Sequence, residues 1–352
     1  MNISRKQTKQ LQGLAILFML GLHLFNRADF VEVFDTHINV MGRPFLFYVS
    51  YIFDACVPIY LFCSGYGAGY KYVNLGNCIS DRIKRLKPFI LKYWGIIIAT
   101  CVVGYFLGMK DRYPGTAIKF LQSIFLIRNN YVGALWFVQI YVLLTLFSNW
   151  IFSFVHSKHW KFTVTGSLLL YVFAFFMEYR ILPLVHSEWS NSMLYTLMLL
   201  LRSQFMYTIG MLFAVQPLKK VEEICEFLKK HGIIKAAILI LVILLRGVFA
   251  HLIFAPFSAL MLIILYICTE NRIMSAILDY FGKHSTNIWM VHMQLYMLFA
   301  QKYIFWTRNP LLVYGTLLLS SLVLSYVIDK ILYIVCRMNY HLKESFLRIY
   351  RY

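Results

Sequence analysis

Residues 11–25 read LQGLAILFMLGLHLF, and only Gln12 and His23 interrupt an otherwise apolar run. A helix on a water-soluble core carries its apolar residues as one stripe. This run is apolar on every side, which suits hydrocarbon. Working outward, the first run extends over 11–27. Similar runs recur at 45–68, 88–108, 131–154, 162–182, 192–215, 233–249, 251–268, 285–304 and 311–335. Each is close to the roughly 20 residues that cross a bilayer as a helix. None alternates as a membrane barrel strand does, and a helix satisfies its own backbone in hydrocarbon. The expected architecture is an all-α integral membrane protein of ten transmembrane helices, one polytopic domain over residues 1–352.

Composition agrees. Hydrophobic residues make up 60% of the chain and charged residues 14%, against about 45–50% and about 25% in soluble domains. The net charge of +19 would suggest nucleic acid in a soluble protein. Here it points to membrane lipids, through loops facing an anionic leaflet. With the N-terminus inside, the inner connections hold twenty-three of the thirty-four Lys and Arg. That bias places both termini in the cytoplasm, in a multi-pass protein of the cell inner or plasma membrane. The run at 11–25 has no small-residue cleavage site and contains His23, so a cleaved leader is not expected. The seven cysteines form no C-x-x-C pair and read as small core residues, neither a disulfide nor a zinc framework. Nothing in the sequence sets an oligomeric state.

Two connections stand out. Arg246, Gly247, His251 and Pro256 interrupt a long apolar stretch and predict a tight hairpin. Residues 116–127 are semi-apolar and suit either the membrane interface or a re-entrant segment.

Polar groups inside apolar runs are costly and require a reason. Asp54 is the one acid well inside such a run, Arg202 lies mid-span, and His23 and His292 sit in the first and ninth spans. His23 follows Gln12 by eleven residues, roughly 16 Å along a helix and nearly on one azimuth. A neutral imidazole there can act as general base, or it can simply pack. Residues 60–70 read YLFCSGYGAGY, where small residues admit either a neighbouring helix or a long thin ligand. Arg82 and Arg85, at i,i+3, share a face that suits phosphate, or they mark a plain basic loop. In residues 281–296, FGKHSTNIWMVHMQLY, Gly282 is expected to end one segment and Ser285 or Thr286 to cap the next. Trp289 and His292 then share a face, and His292 either orients a substrate or is a satisfied core residue. Trp136 and Gln139 read as an interfacial belt or as a sugar-stacking platform. No HExxH, phosphate-binding loop, GxSxG or acidic metal cluster is present, so no metal is expected.

In order and spacing these segments resemble the transmembrane acyltransferase family 3, whose members carry acetyl or similar groups onto bacterial surface glycans. The resemblance runs through Gly13-Leu14-Ala15-Ile16-Leu17 followed by His23, Phe62-Cys63-Ser64-Gly65-Tyr66-Gly67, Arg82-Ile83-Lys84-Arg85, Leu135-Trp136-Phe137, and Phe281-Gly282-Lys283-His284-Ser285 through His292. It implies a catalytic role for His23 and contact with an acyl-CoA donor for Arg82 and Arg85. The family usually has Arg or Lys where Gln12 stands, and Lys9, one turn earlier, is the candidate to supply that charge. Many members carry an acid near Ser-Gly. Asp54 is the candidate here, either orienting His23 or pairing with Arg202.

The expected function is transfer of an acyl group, acetyl first, from cytoplasmic acetyl-CoA to a hydroxyl of a surface or lipid-linked glycan. Arg82 and Arg85 hold the donor phosphates, Lys9, Gln12, Ser64 and Gly65 line the donor arm, and His23 takes the hydroxyl proton. Arg202, Trp136 or His292 stabilises the oxyanion, with Trp136 and Gln139 toward the acceptor. A transporter or polymerase of lipid-linked polysaccharide is the alternative; it predicts a wide cavity with many charges, and the spans offer few. A lipid-modifying acyltransferase of the unrelated membrane-bound class would place its histidine late in the chain, whereas His23 is early.

Overall fold

The structure is a computed structural model that describes residues 3–35, 38–76, 78–216, 218–269 and 271–338, with side chains to 334 in the last segment. Lys343, Arg348 and Arg351, which bear on the orientation of the C-terminus, lie outside the described residues, as does the side chain of Cys336.

In chain order the helices are α1 (Arg5–Phe25), α2 (Phe30–Val33), α3 (Phe45–Ser50), α4 (Cys56–Leu75), α5 (Ile79–Phe106), α6 (Ala117–Ile124), α7 (Trp136–Ser157), α8 (Trp160–Arg180), α9 (Glu188–Val215), α10 (Lys219–Lys230), α11 (Gly232–Val248), α12 (Ala255–Ile267), α13 (Arg272–Met293), α14 (Gln301–Ile304) and α15 (Pro310–Met338). A 3-10 turn, Tyr51–Ala55, joins α3 to α4, and a π-helical turn, Gln294–Phe299, continues α13. The only strands among the described residues are a two-residue antiparallel ribbon, Asn39–Val40 with Arg43–Pro44.

Among the described residues, six helices are long and apolar enough to cross a membrane, seven if α10 and α11 count as one bent span. Four of the ten apolar runs fall on helices that do not qualify by themselves: that at 233–249 lies on α11, which qualifies only together with α10, and three others do not qualify at all. The first starts at Arg5, where Ser4 and Gln7 form a reciprocal capping box (3.1 and 2.9 Å), so basic residues dilute it. The run at 251–268 is short, with α12 ending at Ile267. The run at 285–304 is part of a longer helix that begins thirteen residues earlier, at Arg272. The break expected at Gly282 is absent: α13 runs straight through, and Ser285 bonds the Gly282 carbonyl within the helix (2.9 Å) instead of capping a new one.

The chain divides into two compact units, Met1–Gly76 with Phe147–Ser285, and Asn77–Leu146 with Thr286–Tyr352. In the first, α4 packs on α9 and α1 on α4. The α4–α9 crossing is set by two glycines. A Cβ on Gly65 would lie 1.9 Å from the Tyr207 carbonyl oxygen, and one on Gly210 would lie 2.1 Å from that of Phe62. Neither backbone can yield, so the helices meet only because both side chains are missing. Gly13 and Gly282 do the same for α1 and α13, against Leu278 O (2.0 Å) and Lys9 O (2.1 Å). Gly282 is therefore a packing residue and not a helix stop. Gly65→Val is expected to abolish folded yield, while Gly67→Ala, whose Cβ meets nothing within 4 Å, leaves it unchanged; size-exclusion profiles and melting temperatures of the two variants check this.

In the second unit α6 is fastened to α5: Tyr93 Oη donates to Ser123 O and Trp94 Nε1 to Ile124 O, each 2.8 Å. Residues 116–127, open between interface and re-entrant segment in the sequence, thus form a short helix held by two aromatic donors of the neighbouring long helix.

Candidate active site

In the first unit, His23 occupies the last turn of α1 and is half-buried. Gly21, two residues earlier, abuts the Phe53 ring, and Phe18 also packs on Phe53 (5.1 Å). The end of α1 therefore rests on the 3-10 turn that carries Asp54. Asn26, the C-cap, donates to Ser50 Oγ (3.1 Å) and fixes the exit of the helix. Beyond it Arg27 grips Asp29 through two bonds (2.7 and 2.6 Å), which holds the Asp29 carboxyl below its usual range.

Asp54 is ion-paired, but not with Arg202. Its Oδ2 accepts from Arg246, and both side chains are almost fully buried, 4% and 3% exposed. Arg246 also donates to Tyr51 O (3.2 Å), His251 O (3.1 Å) and Phe249 O. It lies in the last turn of α11, where unpaired carbonyls and the helix dipole favour a cation. The interruption that predicted a tight hairpin is thus the seat of the buried counter-ion. Arg202 pairs instead with Glu178 of α8 (2.5 Å) and stacks over the Phe175 ring (4.9 Å). Asp54 Oδ1 is buried and accepts no hydrogen bond among the described residues.

The residues expected along the donor arm divide. The space beside Gly65 is filled by α9. Ser64 Oγ donates to the Tyr60 carbonyl of its own helix (2.8 Å). Lys9 and Gln12 are half-buried on α1. The sequence reading missed Gln10, which is buried and holds α1 in place: its Nε2 donates to Ser275 O (3.2 Å), and its Oε1 accepts from Tyr266 Oη (2.6 Å).

In the second unit, Arg82 and Arg85 lie on α5, which begins at Ile79, so their i,i+3 spacing is helical. Arg82 is 7% exposed. Its Nη1 donates to the Leu146 carbonyl (2.5 Å); among the described residues no carboxylate pairs with it, and its Nε is buried without an acceptor. Next to these arginines α5, α7 and α13 share an aromatic wall. Phe89 packs on Tyr141 (4.8 Å) and stacks with Trp289 (6.3 Å), and Phe137 meets Trp289 edge-on (5.5 Å). Trp136 packs edge-on against Phe137 (5.7 Å), and Gln139 Nε2 reaches Ile127 O (3.5 Å). His292 is fully buried, and its Nδ1 lies 2.8 Å from Trp289 O. A carbonyl only accepts, so in this hydrogen bond Nδ1 is the donor.

Fold and side chains together define a polytopic helical membrane protein with charged groups buried among its apolar helices. Over residues 9–330, nearly the whole chain, the sequence matches the family described as Acyltransferase domain, acyltransferase family 3, and the chain belongs to that family. It is a multi-pass membrane acyltransferase. No curated protein and no solved structure matches it.

Proposed function

We propose that this acyltransferase moves an acetyl group from cytoplasmic acetyl-CoA to a hydroxyl of a cell-surface or lipid-linked glycan. The chain acts as one polytopic domain crossing the inner or plasma membrane ten times, with both termini in the cytoplasm. His23 is the general base. The acceptor hydroxyl oxygen attacks the thioester carbonyl and gives its proton to His23. The C–S bond breaks, and the proton passes to the departing thiolate, releasing free coenzyme and an O-acetyl ester. Asp54, clamped by Arg246, keeps one carboxylate oxygen with which to orient the base. Trp136 and Gln139 face the acceptor, and Lys9, Gln12 and Ser64 assist the donor.

The observation that carries the donor assignment is Arg82. A guanidinium this buried needs an anion, and with no carboxylate beside it among the described residues a phosphate of the donor is a fitting partner, with Arg85 one turn on. Arg82→Gln is expected to raise the KM for acetyl-CoA about tenfold or more, with kcat changed less, in a transfer assay on purified protein. The reading itself is tested by adding acetyl-CoA to the purified chain and by glycan mass analysis with and without the gene. A melting temperature that rises with acetyl-CoA, together with glycan ester masses that depend on the gene, supports it. A protein indifferent to acetyl-CoA, in cells whose glycans are unchanged by deletion, overturns it.

A further inference from the structure

In the second unit the seam between α13, its π-helical continuation and α15 carries buried polar groups that the chain leaves unsatisfied. Gln294 opens the π turn, which packs on α15, and is 5% exposed; among the described residues neither its Nε2 nor its Oε1 has a hydrogen-bond partner. Asn287, seven residues earlier and so on the same face of the helix, gives its Nδ2 to Ser325 Oγ (2.9 Å) and Asp329 Oδ1 (2.8 Å), but its Oδ1 accepts nothing among the described residues. Ser321, one turn from Ser325 on the same face of α15, is fully buried, and its Oγ is also unpartnered. Among the described residues, four polar atoms on two adjacent helices are therefore buried without a bond. Buried groups are nearly always paired, and an exception calls for an explanation such as a ligand or water. The exception is sharper because Gln294 lies on a π turn, a local distortion found frequently at functional sites.

The geometry points to this seam as a binding site for an uncharged group that both donates and accepts hydrogen bonds, an amide or a hydroxyl, with Gln294 as its principal contact and Ser321 as a second. A primary amide offers two donors and an acceptor side by side. The charges of the seam, Lys92 and Asp329, already face each other at 3.7 Å, so the group it takes is neutral. Two substrates of the proposed reaction carry such groups: the amides of the donor's pantetheine arm and the hydroxyls of the acceptor glycan. The choice between them rests on the acyl-transfer reading above.

The test is Gln294→Met, nearly isosteric and apolar, made in the full-length chain with Ser321→Ala as a second variant. Removing an amide that has no protein partner leaves the melting temperature of the ligand-free protein unchanged or raised. The same change weakens the ligand about tenfold. If the donor arm binds here, the Kd for desulfo-CoA rises about tenfold while the acceptor KM stays. If the acceptor binds here, desulfo-CoA binding stays and the KM for the cell's extracted glycan rises about tenfold. Ser321→Ala moves the same quantity by a smaller factor. A Gln294→Met protein that melts well below the wild type, or fails to fold, shows that the amide serves the fold and overturns the site. So do two variants that melt like the wild type and match it in both ligand measurements, because water then suffices. A wild-type protein blind to desulfo-CoA defeats the donor reading; the seam then stands or falls on the melting temperatures and the acceptor KM.

Discussion

His23→Ala is expected to lower acetyl transfer about 10²- to 10⁴-fold, the usual range for losing a positioned general base. The residue lies in the last turn of α1, and the folded yield should persist. Gly21 and Phe18 against Phe53, Asn26 against Ser50, and the Arg27–Asp29 pair help to hold this end of the helix. His23→Gln keeps hydrogen-bonding capacity but cannot relay a proton at neutral pH, and it should be nearly as inactive as alanine. The check is kcat for transfer, alongside the melting temperature of each variant. Loss of activity with an unchanged melting temperature separates chemistry from packing.

The second large effect concerns stability. Asp54 and Arg246 are each almost fully buried, and removing one member of a buried pair strands the other's charge at a cost of about 3–5 kcal/mol. Asp54→Leu and Arg246→Leu should each sharply reduce the yield of folded protein. Arg246→Leu should be the worse, because it also strips donors from the carbonyls of Tyr51, Phe249 and His251. The double replacement by apolar residues should recover part of the loss, since no charge is then stranded. Melting temperatures of the two singles and the double form the cycle that measures it. If the recovered double variant is inactive, Asp54 contributes to the reaction and not only to the fold.

Much of the helical architecture was legible because hydrocarbon imposes a simple demand: long apolar runs that satisfy their own backbones. The R-x-x-R face was legible for a similar reason, since i,i+3 spacing has meaning as soon as the segment is helical. What stayed hidden depends on contacts between distant parts of the chain. Arg246 reads as an interruption until the structure brings it to Asp54, 192 residues away. Asp54 and Arg202, the most conspicuous opposite charges within spans, look like natural partners, yet each has a nearer one. Gly282 has the local signature of a helix stop, because sequence does not distinguish a glycine needed for a turn from one needed for close packing. Gln10 lies among basic residues before the apolar run begins, so its burial gave no local signal. Gln294 escaped notice because one amide beside a histidine is unremarkable until its neighbours prove unable to bond it.

The most direct test uses the purified chain in liposomes, with acetyl-CoA labelled in its acetyl group and extracted surface glycan as acceptor. The account predicts label in an alkali-labile ester on the glycan for the wild type and background for His23→Ala. Label transferred equally by both proteins, or by neither, would contradict it.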